Sequence, residues 1–165
     1  MKRVLLDANV YGELAIDPAL ARIKERMLGG ADLVFYGSEV IRKELRDTPK
    51  SQRFANRNLR ILLLSIYDEI TKERALGVSA EISVLADNFY RAYKQFGGLK
   101  PKHEIMADFL IIASAVLHGL DVVVSNDEKT MFTENAVKAY RLICTVKEKR
   151  VPRMIAYDDF RRWFV

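Results

Sequence analysis

The chain has one cysteine, Cys144, and two histidines, His103 and His118. A single thiol forms no internal disulfide and supports no metal site built on paired cysteines. Cys144 reads as a small apolar side chain in the interior. Neither histidine has a second imidazole at ligand spacing, and no HExxH is present. No apolar run approaches the roughly 20 residues that span a bilayer. Asp7 breaks the apolar start before it can serve as the core of a signal peptide. We therefore expect a cytoplasmic protein with no membrane partner. No GxxxxGK[ST] or GxGxxG loop occurs, nor any Ser-His-Asp set that spacing supports, so P-loop NTPases and nucleophilic-triad hydrolases are unsupported. No linker, internal repeat or low-complexity tract divides the 165 residues. That predicts one domain over 1–165.

What is present is half apolar and 30% charged, with 27 basic against 22 acidic residues and a net charge of +5. Such a balance suits a soluble globular chain and is compatible with a nucleic-acid partner. The first dozen residues organise the rest. Val4, Leu5 and Leu6 form a short apolar run closed by Asp7, the pattern of a buried strand whose carboxyl end emerges at a ligand crevice.

Helical spacing follows over 10–16 and 19–28, with Asp17-Pro18 between them, and Gly29-Gly30 stops the second helix. Residues 32–36 read as a strand and Glu39–Arg46 as a helix capped by Ser38. The basic stretch 50–60 reads as helical, with Arg53, Arg57 and Arg60 on one face: a solvated face or a ridge for phosphates. Residues 59–66 fit a helix or a short strand, and 71–78 a loop. Helices are expected over 79–96 and 103–118, a central strand over 121–125, a helix over 132–146, a short strand over 154–156, and a last helix over 158–165 docked by Trp163 and Phe164. Strands alternating with helices imply a three-layer α/β/α sandwich around a mostly parallel sheet of four or five strands.

Four carboxylates fall where such a fold converges. Asp7 closes the first strand, and Glu44 lies on the helix after the second. Asp108 sits in a helix among Ile105, Met106, Phe109, Leu110, Ile111 and Ile112, and Asp127 follows the 121–125 strand. A carboxylate amid so much apolar sequence is costly if buried without a partner. Each acid also has a plainer reading: a helix cap for Asp7 and Asp127, an ion pair for Asp108, a surface residue for Glu44. Oxygen-only ligands suit Mg²⁺ or Mn²⁺. Such an ion activates water and stabilises a leaving phosphate oxygen.

Three stretches then carry a family resemblance: VLLDANV at 4–10, SEVIRKELR at 38–46 and ADFLIIASAVLHGLDVVVSND at 107–127. Together and in this order they resemble a PIN domain. The resemblance implies a PIN-like α/β/α fold and a metal-dependent endoribonuclease. Asp7, Glu44, Asp108 and Asp127 match the acids that bind Mg²⁺ or Mn²⁺. Asn9 and Ser125 match supporting polar positions, and Asn126 is placed with them. Many small members are toxins held by a cognate antitoxin, and others process RNA, so the implied partners are an RNA substrate, an antitoxin and a second copy in a homodimer. Arg53, Arg57, Arg60 and Lys129 are the expected contacts to nucleic acid. The chain departs from the smallest members by extra sequence at 50–96, and Ser125 stands where threonine is common. Two rivals follow: a degenerate PIN-like RNA-binding or scaffold module, and a phosphatase. The second is weakened because Asp7-Ala8-Asn9 lacks the second aspartate of a haloacid-dehalogenase-type pair.

Overall fold

The three apolar residues that follow Arg3 are fully buried, and the strand that holds them is the middle of the molecule. The computed structural model describes residues 1–165. In chain order its elements are β1 (Lys2–Leu6), α1 (Ala8–Ile16), α2 (Leu20–Gly29), β2 (Leu33–Ser38), α3 (Glu39–Arg46), β3 (Arg53–Phe54), β4 (Arg57–Asn58), α4 (Leu59–Thr71), β5 (Ala75–Leu76), α5 (Ala80–Gln95), α6 (Lys102–Leu117), β6 (Val122–Val124), α7 (Glu134–Val146), β7 (Arg153–Ile155) and α8 (Tyr157–Arg161).

Five strands form one sheet in the order β5-β2-β1-β6-β7. Every pair in it is parallel. Its central strands are apolar without alternation, as expected when helices cover both faces. The register sets Leu6 opposite Val124, so Asp7 and Ser125 leave the sheet side by side. A core of 43 buried residues fills the space between sheet and helices. At roughly 1.5–3 kcal/mol for each large apolar side chain, this burial is the main force holding the strand ends in place. Phe89, Phe109 and Tyr140, from α5, α6 and α7, meet at ring distances of 5.1 to 6.4 Å. They lock those three helices together.

Caps start the helices where the sequence places capping residues. Ser38 accepts a hydrogen bond from the Val40 amide (3.2 Å), and Ser79 from the Ile82 amide (3.2 Å). Gly37 matters for a different reason. A Cβ there would lie 2.1 Å from the Tyr67 hydroxyl oxygen. That hydroxyl donates to the Ser38 carbonyl (3.0 Å) and so ties α4 to the β2–α3 junction. Only glycine lets the phenol approach.

The basic stretch departs from its helical reading. Arg53 and Arg57 lie on a two-stranded antiparallel hairpin, and Arg60 lies in the first turn of α4. Ala55 and Asn56 both have positive φ (49° and 62°). Two consecutive left-handed residues are the turn that joins twisted strands most directly. Residues 59–66 are helical, and the expected loop 71–78 contains the short edge strand β5. No helix is long and apolar enough to cross a membrane.

Candidate functional site

Asp7 ends β1 and caps α1. Only 4% of its surface is exposed. Its Oδ1 accepts the Ala8 amide (2.8 Å). Its Oδ2 accepts the Ser125 hydroxyl (2.7 Å) and the Asn9 side-chain amide (2.9 Å). Burial raises its pKa, and the charge of Asp127 adds to the rise; the donors from Ser125, Ala8 and Asn9 work against both. The ends of β1 and β6 are stitched by the same polar groups. Asn9 Nδ2 also reaches Ser125 Oγ (3.1 Å), and the Asn126 amide donates to Asn9 Oδ1 (3.0 Å). Asn126 then accepts the Tyr157 amide (2.8 Å), which brings in α8. Asn9, Ser125 and Asn126 therefore form one hydrogen-bonded bridge around Asp7.

Asp127 is held by its own loop. Its Oδ1 accepts the amides of Lys129 (3.0 Å) and Thr130 (2.8 Å), and its Oδ2 accepts the Thr130 hydroxyl. Asp108, half-buried on α6, has its pKa pushed up to about 7, first by loss of water. The nearby Thr130 hydroxyl lowers it, and the charges of Asp127 and Asp7 raise it further. Glu44 on α3 is also pushed up to about 7. Crowding by protein comes first, then the charges of Asp7, Asp108 and Asp127. The Glu44 residue surface is more than a third open to solvent, so water screens part of this effect, and the upward direction is what the charge arrangement carries.

The charges of Asp7, Asp108 and Asp127 thus reach Glu44, and that of Asp127 reaches Asp7 and Asp108; Glu44 and Asp108 lie on α3 and α6, Asp7 at the β1–α1 junction and Asp127 in the loop after β6. None of them has a Lys, Arg or His partner within 4.0 Å. Carboxylate oxygens without an internal cation suit a hard divalent ion by their donor chemistry. The set is open. No three His, Cys, Asp or Glu side chains already stand as a metal-ligand group. Asp7 and Asp127 have both oxygens engaged by internal donors, whereas no donor reaches the Glu44 carboxyl and only the Thr130 hydroxyl bears on Asp108.

The expected basic residues are placed differently from the acids. Arg53 and Arg57 are exposed on the hairpin, and Arg53 donates to the Asn56 carbonyl (2.6 Å). Arg60 is half-buried, and the exposed Lys129 touches the site only through its backbone amide on Asp127. Thr130 was missing from the sequence reading. The signal lay in Asp127 followed three residues later by threonine, the spacing at which a carboxylate caps a turn.

No family model matches the sequence, and no curated protein does. Solved structures do match. VapBC2 from Rickettsia felis, bound to a DNA fragment from its promoter, is 14% identical with a TM-score of 0.59, covering 93% of this chain and 96% of that one. DNA-bound VapBC from Salmonella typhimurium is 17% identical with a TM-score of 0.58, covering 95% and 99%. FitAcB from Neisseria gonorrhoeae is 21% identical with a TM-score of 0.55, covering 81% and 93%. At such identities the likeness establishes the fold. It is the PIN-like sandwich implied by the resemblance, with a five-stranded parallel sheet flanked by helices.

Proposed function

We propose that this protein is a metal-dependent endoribonuclease of the PIN type that hydrolyses phosphodiester bonds in RNA with Mg²⁺ or Mn²⁺. The observation that supports the reading is that the charges of Asp7, Asp108 and Asp127 all raise the cost of ionising Glu44, that Asp127 does the same to Asp7 and Asp108, and that none of the four is paired with a base. Structural ion-pair sites pair their charges; sites for a cation leave them uncompensated. Asp7, Glu44, Asp108 and Asp127 would hold the ion. When bound, it supplies a water activated near neutral pH and charge to offset the leaving oxygen. The chain's own part is positional. Ser125, Asn9 and the Ala8 amide fix Asp7, and Thr130 with two backbone amides fixes Asp127. Arg53, Arg57, Arg60 and Lys129 are assigned to the RNA backbone.

The matched structures are VapBC and FitAcB assemblies, which supports reading this chain as the nuclease toxin of a toxin–antitoxin pair. Its partners would be an antitoxin and a second copy in a homodimer, all within the cytoplasm and within a single domain over 1–165.

One observation favours the rival, a degenerate RNA-binding module: two of the four acids are already saturated by internal donors. A single assay separates the readings. Labelled RNA is incubated with the wild type, Asp7→Asn and Asp108→Asn, with chelator or with Mn²⁺. The nuclease reading expects cutting by the wild type in Mn²⁺ only and a loss of at least about a hundredfold in both variants, the scale of removing a charged group that stabilises a reacting phosphate. Uncut RNA that still binds would select the degenerate module.

A further inference from the structure

The chemistry above leaves a neighbouring groove unused. Between α3 and α6, the side chains of Val40, Met106 and Leu110 form an apolar wall, with Lys43, Arg46 and Asp47 at the rim. Glu44 lines this groove too, so the groove shares one of the four proposed acids. Its volume is about 470 Å³, within the range of sites that take small organic groups. One end is held by the Glu39 carboxylate, which accepts the Val78 amide (2.8 Å). The three rim charges are free. None of Lys43, Arg46 or Asp47 has an ion-pair partner within 4.0 Å.

We propose that this groove is a nucleobase subsite, in which one unpaired base adjoining the scissile bond lies on the Val40–Met106–Leu110 wall and Asp47 selects bases that carry an exocyclic amino group. The inference rests on the nuclease reading and names a specificity-determining residue for it. Three features of the groove point to this occupant. An apolar wall accepts the face of any base, whatever its sequence identity. Two unpaired cations on the rim complement the phosphates on either side of that base. A free carboxylate accepts hydrogen bonds from the amino groups of cytosine, adenine or guanine. Uracil has no exocyclic amino group, and its one N3–H donor lies between two carbonyl oxygens that oppose the carboxylate. A peptide would also fill an apolar groove. The free cations Lys43 and Arg46 favour the polyanion, and Glu44 ties the groove to the acids assigned to the ion.

Binding of fluorescein-labelled pentamers of adenylate, cytidylate and uridylate tests this, read by anisotropy at low salt in chelator, where nothing is cut. The wild type should bind the adenylate and cytidylate pentamers about tenfold more tightly than the uridylate pentamer, the scale of a base-edge contact. Asp47→Asn should close that gap, because its amide offers donors as well as an acceptor. Arg46→Ala should weaken all three by a similar factor and leave the gap open. Both residues are exposed, so neither change threatens the fold. A gap that is absent from the wild type, or that survives Asp47→Asn, overturns the subsite. So does an acidic amphipathic peptide whose binding is lost in Arg46→Ala while the oligonucleotides are unaffected. Cutting of the same pentamers in Mn²⁺ is scored separately. A protein that cuts RNA without a base gap loses the subsite and keeps the nuclease reading, whereas one that neither binds nor cuts loses both.

Discussion

Asp108 is the residue at which the proposed metal site and a structural ion pair make opposite predictions. Its position in an apolar run was visible in the sequence; what surrounds it was not, because the Thr130 hydroxyl and the Asp127 and Asp7 charges come from other elements. Its folded pKa of about 7, like that of Glu44, lies above the unfolded carboxylate value of about 4. Such a group adds stability that is complete below the unfolded pKa and is lost as pH rises through the folded pKa. The metal-free protein should therefore become less stable between about pH 4 and about pH 7 on this account, and calorimetry in chelator measures it. At pH 7, Asp108→Asn in chelator should melt at or above the wild-type temperature. Mn²⁺ should raise the wild-type melting temperature, by roughly 2.7 kcal/mol of stability at a hundredfold excess over Kd, and should raise that of the variant far less. A variant that melts well below wild type in chelator would mark Asp108 as one half of a structural pair and the four-acid pocket as misassigned.

Asp17 gives the opposite sign and belongs to the scale of elements, because it fastens α8 to the α1–α2 junction. Its carboxylate accepts from Arg161 Nε (2.6 Å), Arg161 Nη2 (3.2 Å), the Tyr157 hydroxyl (2.6 Å) and the Ala19 amide (2.8 Å). The Arg161 bond is the largest cause of a pKa lowered to about 2. Stability from a depressed carboxylate is present above the unfolded pKa and is lost as pH falls through the folded one. Asp17→Asn should thus cost about 1.5–3 kcal/mol at pH 7, the range for hydrogen bonds to a charged group. The difference from wild type should vanish as pH drops from about 4 to about 2, and a urea melt at each pH follows it. A deficit unchanged at the lowest pH would mean that shape rather than charge ties α8 down.

Elements were legible in the sequence where periodicity and caps agreed, as in β1, α3 and α5. The hairpin was not. Arg53, Arg57 and Arg60 stand at spacings that mimic one helical face, and the turn between the strands is Ala55-Asn56, without the glycine that usually announces a left-handed turn. Two-residue strands such as β5 leave no alternation to read. The hairpin carries its own expectation: Arg53→Glu with Arg57→Glu should weaken RNA binding at least tenfold at low salt. The slope of log affinity against log salt should become shallower by about two phosphate contacts. An unchanged slope would return the hairpin to the role of a solvated surface.

At the scale of the whole molecule, the proposal to be tested is a homodimer. Sedimentation at micromolar concentration should show a species near twice 18.9 kDa; a single boundary at the monomer mass would count against it. The strand order carries a further consequence. The central strand β1 precedes its sheet neighbours in the chain, its neighbour β6 begins at Val122, and the amide of Ser125 is held by Ile155 of β7 (3.0 Å). The ends of β1 and β6, with the proposed acids at 7 and 127, are therefore not held together until residues through Ile155 have been made. On the nuclease proposal, the cutting centre is therefore absent while the stretch of message that encodes residues 7 to 155 is being read.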